Sequence, residues 1–158
     1  MIRSGIGYDI HRFAKERKLI LGGVEIPHSH GLEGHSDADV LSHAIADALL
    51  GATGAGDIGQ HFPNTDESLR GISSLEILKR VTKMLAERRT RIANIDATII
   101  AEAPKIAPHV SAMRQKIAAA TGVSESNVNV KATTNESLGA IGRGEGMAAI
   151  AIATVEVD

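Results

Sequence analysis

The stretch Gly5-Ile6-Gly7-Tyr8-Asp9-Ile10-His11 constrains this chain more than any other. It alternates with the two-residue period of a strand, so Ile6, Tyr8 and Ile10 share one side and Gly5, Gly7, Asp9 and His11 the other. The first set can sit in a core. The second sets a carboxylate and an imidazole beside two glycines, which leave room for another group to lie against the backbone. Asp and His two residues apart on a strand can share one metal ion, because Zn²⁺ accepts both oxygen and imidazole nitrogen. The same pair also fits a sheet end that faces water.

Beyond this strand, Leu19 to Ile26 turns at Gly22-Gly23 and reads as a short hairpin. His28 to Gly34 reads as loop. Ser36 or Asp37 is placed to cap a helix running to about Gly51. Val40, Leu41, Ala44, Ile45, Ala48 and Leu49 make its apolar face, and Asp39, His43 and Asp47 lie on the opposite stripe. Residues 51–71 are rich in Gly, Asp and Asn, and a loop of that length in a compact domain is usually functional or mobile. Ser73 or Ser74 opens a second helix, with Leu78, Val81 and Leu85 inward. Residues 95–101 and 128–133 read as strands. A third helix between them carries Val110, Met113, Ile117 and Ala120 and stops at Gly122. A glycine-dense turn from Gly139 to Gly146 leads into a last strand from Met147 to Val157. The pattern predicts an α/β (α+β) fold over residues 1–158 as a single domain. Its four-stranded mixed sheet carries helices on one face, plus the short N-terminal hairpin.

At 158 residues with a net charge near −2, the chain has no general attraction for nucleic acid or an anionic membrane. It has no cysteine, which excludes disulfides and thiolate ligands and suits a reducing compartment. No apolar run approaches membrane-spanning length and the first residues open straight into a strand pattern, so a cytoplasmic location is expected. With no Trp, one Tyr and two Phe, stacking on aromatic platforms is a poor route to holding a base. Backbone groups and small side chains would have to do it.

Of the seven histidines, His28, His30 and His109 lie in surface-type segments, whereas His11, His35 and His43 lie among acids and small residues. A catalytic zinc takes three protein ligands and keeps one position open, a pattern that Asp9, His11 and His43 could supply. Asp39 and His43, four residues apart on a helix, could chelate a metal instead, and spacing alone does not choose. Asp57-Ile58-Gly59 and Phe62-Pro63-Asn64-Thr65-Asp66 place polar groups in the long loop, where ordinary turn chemistry also uses them. Lys131-Ala132-Thr133-Thr134-Asn135-Glu136 leaves a strand end with hydroxyls, a cation and a carboxylate, suited to a phosphorylated ligand and its cation, or equally to a capped turn. Gly142-Arg143-Gly144-Glu145-Gly146 could cradle phosphate with backbone N–H groups and Arg143.

Taken together, these blocks closely resemble the 2-C-methyl-D-erythritol 2,4-cyclodiphosphate synthase family of the non-mevalonate isoprenoid pathway. The resemblance is carried by Gly7-Tyr8-Asp9-Ile10-His11, Gly34-His35-Ser36-Asp37-Ala38-Asp39-Val40, Asp47-Ala48-Leu49-Leu50-Gly51 and Gly56-Asp57-Ile58-Gly59. It continues through Phe62-Pro63-Asn64-Thr65-Asp66, Ala103-Pro104-Lys105, Val130-Lys131-Ala132-Thr133-Thr134 and Gly142-Arg143-Gly144-Glu145-Gly146, in order along nearly the whole chain.

The resemblance implies a zinc site of Asp9, His11 and His43, against Asp39. It implies His35 and Thr134 as the catalytic pair flanking the reacting phosphates. Substrate contacts are then expected from Asp9, His11, His35 and Ser36. The methylerythritol end would lie on Asp57, Ile58, Gly59, Phe62, Pro63, Asn64, Thr65 and Asp66. The cytidine diphosphate end would lie on Ala101, Glu102, Ala103, Pro104, Lys105, Ile106 and Ala107, and on Thr133, Thr134, Asn135 and Glu136. Glu136 would also hold Mg²⁺ or Mn²⁺. Family members are homotrimers with active sites between subunits, and Arg143 would lie near the trimer axis. Two positions depart from the family: Ala140 stands where an aromatic is usual, and Asn64 where many members have Asp.

The implied reaction is a lyase step. The 2-phosphate of 4-diphosphocytidyl-2-C-methyl-D-erythritol 2-phosphate attacks the β-phosphorus, CMP leaves, and a cyclic diphosphate forms. Two other readings compete. A zinc-dependent phosphodiesterase would release CMP with a linear product, and a trimeric isoprenoid- or nucleotide-binding module would turn nothing over.

Overall fold

The computed structural model describes residues 1–158. Strand β1 (Ile2–Ala14) pairs antiparallel with the last strand, β7 (Gly146–Val157), with Gly7 opposite Ala151 and Asp9 opposite Ala149. On the far side of β7 lies β5 (Thr90–Ile100), again antiparallel, and β6 (Val128–Thr133) adds to β5 in parallel. The hairpin is formed by β2 (Leu19–Leu21) and β3 (Val24–Ile26) as a separate two-stranded sheet.

The main sheet has five strands, not four, in the order β4-β1-β7-β5-β6. The extra strand, β4 (Gly31–Leu32), pairs with Phe13 and Ala14 inside the segment expected to be loop. Two residues are too few to show a period of two, so the sequence pattern carried no sign of it.

Helix α1 (Val40–Thr53) lies across β1 and β7, with α3 (Ser74–Glu87) and α4 (Val110–Thr121) packed beside it on the same sheet face. Helix α1 buries Ala46, Leu50 and Ala52 as well as its expected stripe, because it is enclosed between the sheet and α3. One cluster of 34 buried residues joins this helical layer to the inner sheet face, including Met147, Ala149, Ala151, Ala153 and Val155 of β7. No helix is long and apolar enough to cross a membrane.

The two faces of β1 are the reverse of the expectation. Ile6, Tyr8 and Ile10 are 68%, 55% and 48% exposed, while Gly5 and Gly7 meet α1. A β-carbon on Gly5 would lie 2.1 Å from the carbonyl oxygen of Ala48, so the glycines let the helix backbone sit directly on the strand. Ile150 and Ile152 of β7 are also exposed on the uncovered face.

The helix starts differ too. Asp39, not Ser36 or Asp37, caps α1 by accepting the Ser42 N–H at 3.0 Å, and the helix runs two residues past Gly51. Ser73 holds the cap position of α3 but makes no side-chain bond there; Asp37 accepts the Ser74 N–H at 3.0 Å instead. Within residues 51–71 the chain forms a one-turn helix, α2 (Ile58–His61), and a 3₁₀ turn (Glu67–Leu69). The glycine-dense turn contains another, α5 (Gly139–Gly142).

Candidate active site

Asp9 and His11 leave β1 toward the helical layer, and His43 points back at them from the first turns of α1. Their ligating atoms all lie within 4.8 Å of one another. Oδ2 of Asp9 is 2.8 Å from His11 Nε2 and 3.1 Å from His43 Nδ1, and the two nitrogens are 3.3 Å apart. The other ring nitrogen of His11 lies 2.7 Å from the carbonyl of Glu33, an acceptor only, so Nδ1 carries the proton. The Asp9 oxygen and the bare Nε2 of His11 therefore converge with Nδ1 of His43, where a proton or a cation can sit among them. One oxygen and two imidazole nitrogens beside a cavity match the donor set of an open zinc-type site.

Without a metal, the triad favours a proton on His11 beside an ionised Asp9. Burial alone would push Asp9 upward, yet the hydrogen bonds and charges of His11 and His43 bring it down to about 2. Burial pulls His11 down, but Asp9 and the Glu33 carbonyl outweigh it and raise its pKa above the ordinary value.

Asp39 is no ligand. It is fully buried, and its two oxygens accept the N–H groups of Gly22, Gly23 and Ser42 and the Ser42 hydroxyl, at 2.8–3.0 Å. It joins the hairpin turn to the start of α1. Burial raises its pKa most, with Asp37 adding to the effect and the N–H and hydroxyl donors opposing it.

The triad opens into a cavity of about 350 Å³. His35 and Ser36 line it from the loop before α1, and Ile58, Gly59, Phe62, Pro63 and Asn64 from the long loop. His35 Nε2 is 3.0 Å from the carbonyl of Asp66. Asp57 caps α2 through Gln60 and is exposed; Asp66 caps the 3₁₀ turn through Ser68, and Thr65 is exposed beside it. These three are near the cavity in sequence but not among its lining residues.

The remaining predicted residues gather elsewhere. Residues 101–107 follow β5 and 133–136 follow β6. The two segments are tied by Ala101 N–H to the Thr133 carbonyl at 3.0 Å and by Asn135 N–H to Glu102 at 2.7 Å. Ala103, Lys105, Thr133, Thr134 and Glu136 are exposed. Glu136 and Ser137 have φ of 51° and 62°, left-handed values that cost non-glycine residues energy and often mark binding loops. Because β1, β5 and β6 run the same way, both groups lie at one end of the sheet. Residues 101–107 lie two strand spacings from β1, about 10 Å, and residues 133–136 three, about 14 Å, and none of them lines the cavity at the triad. Arg143 pairs with Glu145 at 2.7 Å, near the small hollow between Ile10 and Ala140.

Sequence reasoning missed two supporting residues. Arg17 donates to the carbonyls of Gly34 and Ser36 at 2.9 and 2.8 Å, and Gly71 N–H takes the carbonyl of His35 between them. Asp47 accepts the Ile58 N–H at 3.0 Å and so hangs α2 on α1. Nothing in a charged loop singles out Arg17; Asp47 was visible as the third member of the Asp39–His43 stripe and in the block Asp47 to Gly51, but neither assigned it a role.

A helix-backed mixed sheet with a His₂-carboxylate triad opening into a cavity of mixed polar and apolar lining defines a candidate metalloenzyme. The sequence matches the family described as the YgbB family over residues 2–156. It is 60% identical to the 2-C-methyl-D-erythritol 2,4-cyclodiphosphate synthase of Alkaliphilus metalliredigens, over 98% of this chain and 97% of that one. The bifunctional IspDF of Campylobacter jejuni superposes with a TM-score of 0.96 at 42% identity, over 100% of this chain and 43% of that one. The CDP complex of IspF from Plasmodium falciparum superposes with a TM-score of 0.86 at 33% identity, over 99% and 97%. The chain belongs to the YgbB family.

Proposed function

We propose that this chain converts 4-diphosphocytidyl-2-C-methyl-D-erythritol 2-phosphate to 2-C-methyl-D-erythritol 2,4-cyclodiphosphate with release of CMP, as a lyase of the non-mevalonate isoprenoid pathway. The observation that carries this is the triad of Asp9, His11 and His43 opening into the cavity lined by His35 and Ser36. Family membership and synthase relatives at nearly full length support the choice of substrate.

Nucleophile and electrophile belong to one substrate molecule, so the protein mainly folds it and neutralises charge. Holding an intramolecular attack in line can supply up to about 10 kcal/mol. Zn²⁺ on Asp9, His11 and His43, with Mg²⁺ or Mn²⁺ on Glu136, would supply Lewis-acid charge neutralisation at phosphoryl oxygens. His35, steadied by the Asp66 carbonyl, presents its imidazole to the phosphates, and Thr134 offers a hydroxyl beside Glu136. A phosphate dianion needs no deprotonation at neutral pH, so no general base is assigned. Residues 57–59 and 62–66 would hold the methylerythritol end. Residues 101–107 and 133–136 would hold the cytidine end through backbone and small side chains.

The working unit in this reading is a homotrimer with sites between subunits. Two observations support it: the gap of about 10 to 14 Å, two to three strand spacings, between the two groups of residues, and the uncovered apolar sheet face of Ile6, Tyr8, Ile10, Ile150 and Ile152. Residues 1–158 act as a single synthase domain in this reading, as their one continuous core suggests, and a cysteine-free chain suits the cytoplasm. The test is CMP release by the purified protein: the reading expects release that a chelator abolishes and Zn²⁺ together with Mg²⁺ restores. Metal-independent release would contradict it.

A further inference from the structure

The two ring nitrogens of His43 face different neighbours. Nδ1 joins Asp9 and His11, as described above. Nε2 lies 2.8 Å from Ser74 Oγ, at the start of α3, and 3.2 Å from Ser36 Oγ. The Ser74 hydroxyl also makes a hydrogen bond with Oδ1 of Asp37. That carboxylate is itself fixed: Oδ1 accepts the Asp39 N–H at 3.1 Å and Oδ2 the Ser74 N–H at 3.0 Å. Asp37 thus stands between the first residues of two helices, and Ser74 is wholly buried.

The proton inventory of this chain has one solution. An ionised carboxylate only accepts, so the Ser74 hydroxyl proton points at Asp37. Ser74 then offers His43 a lone pair and nothing else, so Nε2 of His43 carries the ring proton. Nδ1 is left bare, facing the gap between Asp9 and His11. Ser36 reinforces this more weakly, because it lies farther away and already accepts the Ala38 N–H at 3.1 Å.

We propose that Asp37 and Ser74 are positioning residues of the metal centre: the chain from Asp37 through Ser74 to His43 selects the imidazole tautomer that binds metal and holds its ring in place. Histidine ligands commonly depend on such a partner at the far nitrogen. Here the partner is carried by the N-terminus of α3, so the seating of that helix on α1 and the competence of the triad are one event. The proposal rests on the reading of Asp9, His11 and His43 as a metal site.

The test is zinc affinity of the full-length protein, measured by competition with a chromophoric chelator, beside the melting temperature of the metal-free form. Wild type binds one Zn²⁺ per chain. Ser74→Ala binds it about 10- to 100-fold more weakly, and Asp37→Asn does likewise. Because both act through one chain, the double variant binds no more weakly than the worse single variant. The absorption of Co²⁺ at the site shifts in each variant that folds. Asp37→Asn that lowers the melting temperature while leaving affinity intact would reduce Asp37 to a helix cap and overturn the proposal. So would wild-type affinity in Ser74→Ala, losses that add in the double variant, or a loss seen only in Ser36→Ala. A wild-type protein that binds no zinc would remove the metal reading beneath it; zinc-binding wild type with unaffected variants removes this proposal alone.

Discussion

The carbonyl oxygen of Ala44 lies 1.9 Å from the point that a β-carbon on Gly7 would occupy. Strand β1 and helix α1 touch backbone to backbone at that place, two residues before Asp9 on the strand and one after His43 on the helix. Gly7→Ala must push the two elements apart. The expected cost is about 3 kcal/mol, at the upper end for overpacking because a backbone atom has to yield. Urea unfolding should show it, and zinc binding should weaken with it. A Gly7→Ala protein with wild-type stability and zinc affinity would mean that the helix is not held this tightly.

Much of this site was legible before the fold was known, and the reasons are specific. Asp9 and His11 had to share a face because a strand has a period of two. The stripe of His43 followed from helical spacing, but its choice over Asp39 did not: both fit a ligand pattern. Only burial, and the Gly22 and Gly23 N–H groups that occupy Asp39, separate them. The inverted faces of β1 were illegible for a different reason. Apolar residues are expected inward, but the sheet has helices on one side only, and the glycines rather than the isoleucines are what α1 needs. The separation of residues 101–107 and 133–136 from the triad, two to three strand spacings, depends on strand order, which spacing along the chain does not encode.

Protons and metal compete for the triad. His11 has a folded pKa raised above 6.5, so in the metal-free protein its pairing stabilises the fold fully below 6.5 and is lost as pH rises through the raised value. Asp9, lowered from 3.8 to about 2, contributes above 3.8 and loses that contribution as pH falls toward 2. Zinc has to displace the His11 proton. Affinity should therefore rise about tenfold per pH unit on the acid side of the raised His11 value and level off beyond it. Calorimetry in buffers of different ionisation enthalpy should detect close to one proton released at about pH 6. A pH-independent affinity with no proton release would show that His11 is not a ligand.

The uncovered sheet face should govern assembly. Ile6 is 68% exposed and points away from α1, so Ile6→Asp leaves the fold of one subunit intact. It should nevertheless buries a charge wherever copies meet on this face, a cost of several kcal/mol. Sedimentation should find a trimer for wild type and monomers for the variant, with turnover lost. A variant of wild-type size would place the contact elsewhere.

The proposal of a site shared between subunits is open to complementation. His43→Ala removes a ligand from the metal half and Thr134→Val a hydroxyl from the nucleotide half. Refolded together in equal amounts, random cyclic trimers should contain about one wholly intact site in four. Activity should recover toward about a quarter of wild type refolded in the same way. Demonstrated mixing with no recovery would put both halves in one subunit.

The central claim concerns which oxygen attacks the β-phosphorus, and ³¹P NMR of the product answers it directly. Attack by the substrate's own 2-phosphate yields CMP and a cyclic diphosphate, seen as two coupled phosphorus resonances with no phosphate monoester left on the sugar. Attack by water yields CMP and a linear bisphosphate with two uncoupled monoester signals. The account predicts the coupled pair from purified protein, substrate, Zn²⁺ and Mg²⁺, with no other enzyme present; two uncoupled monoester signals would contradict it.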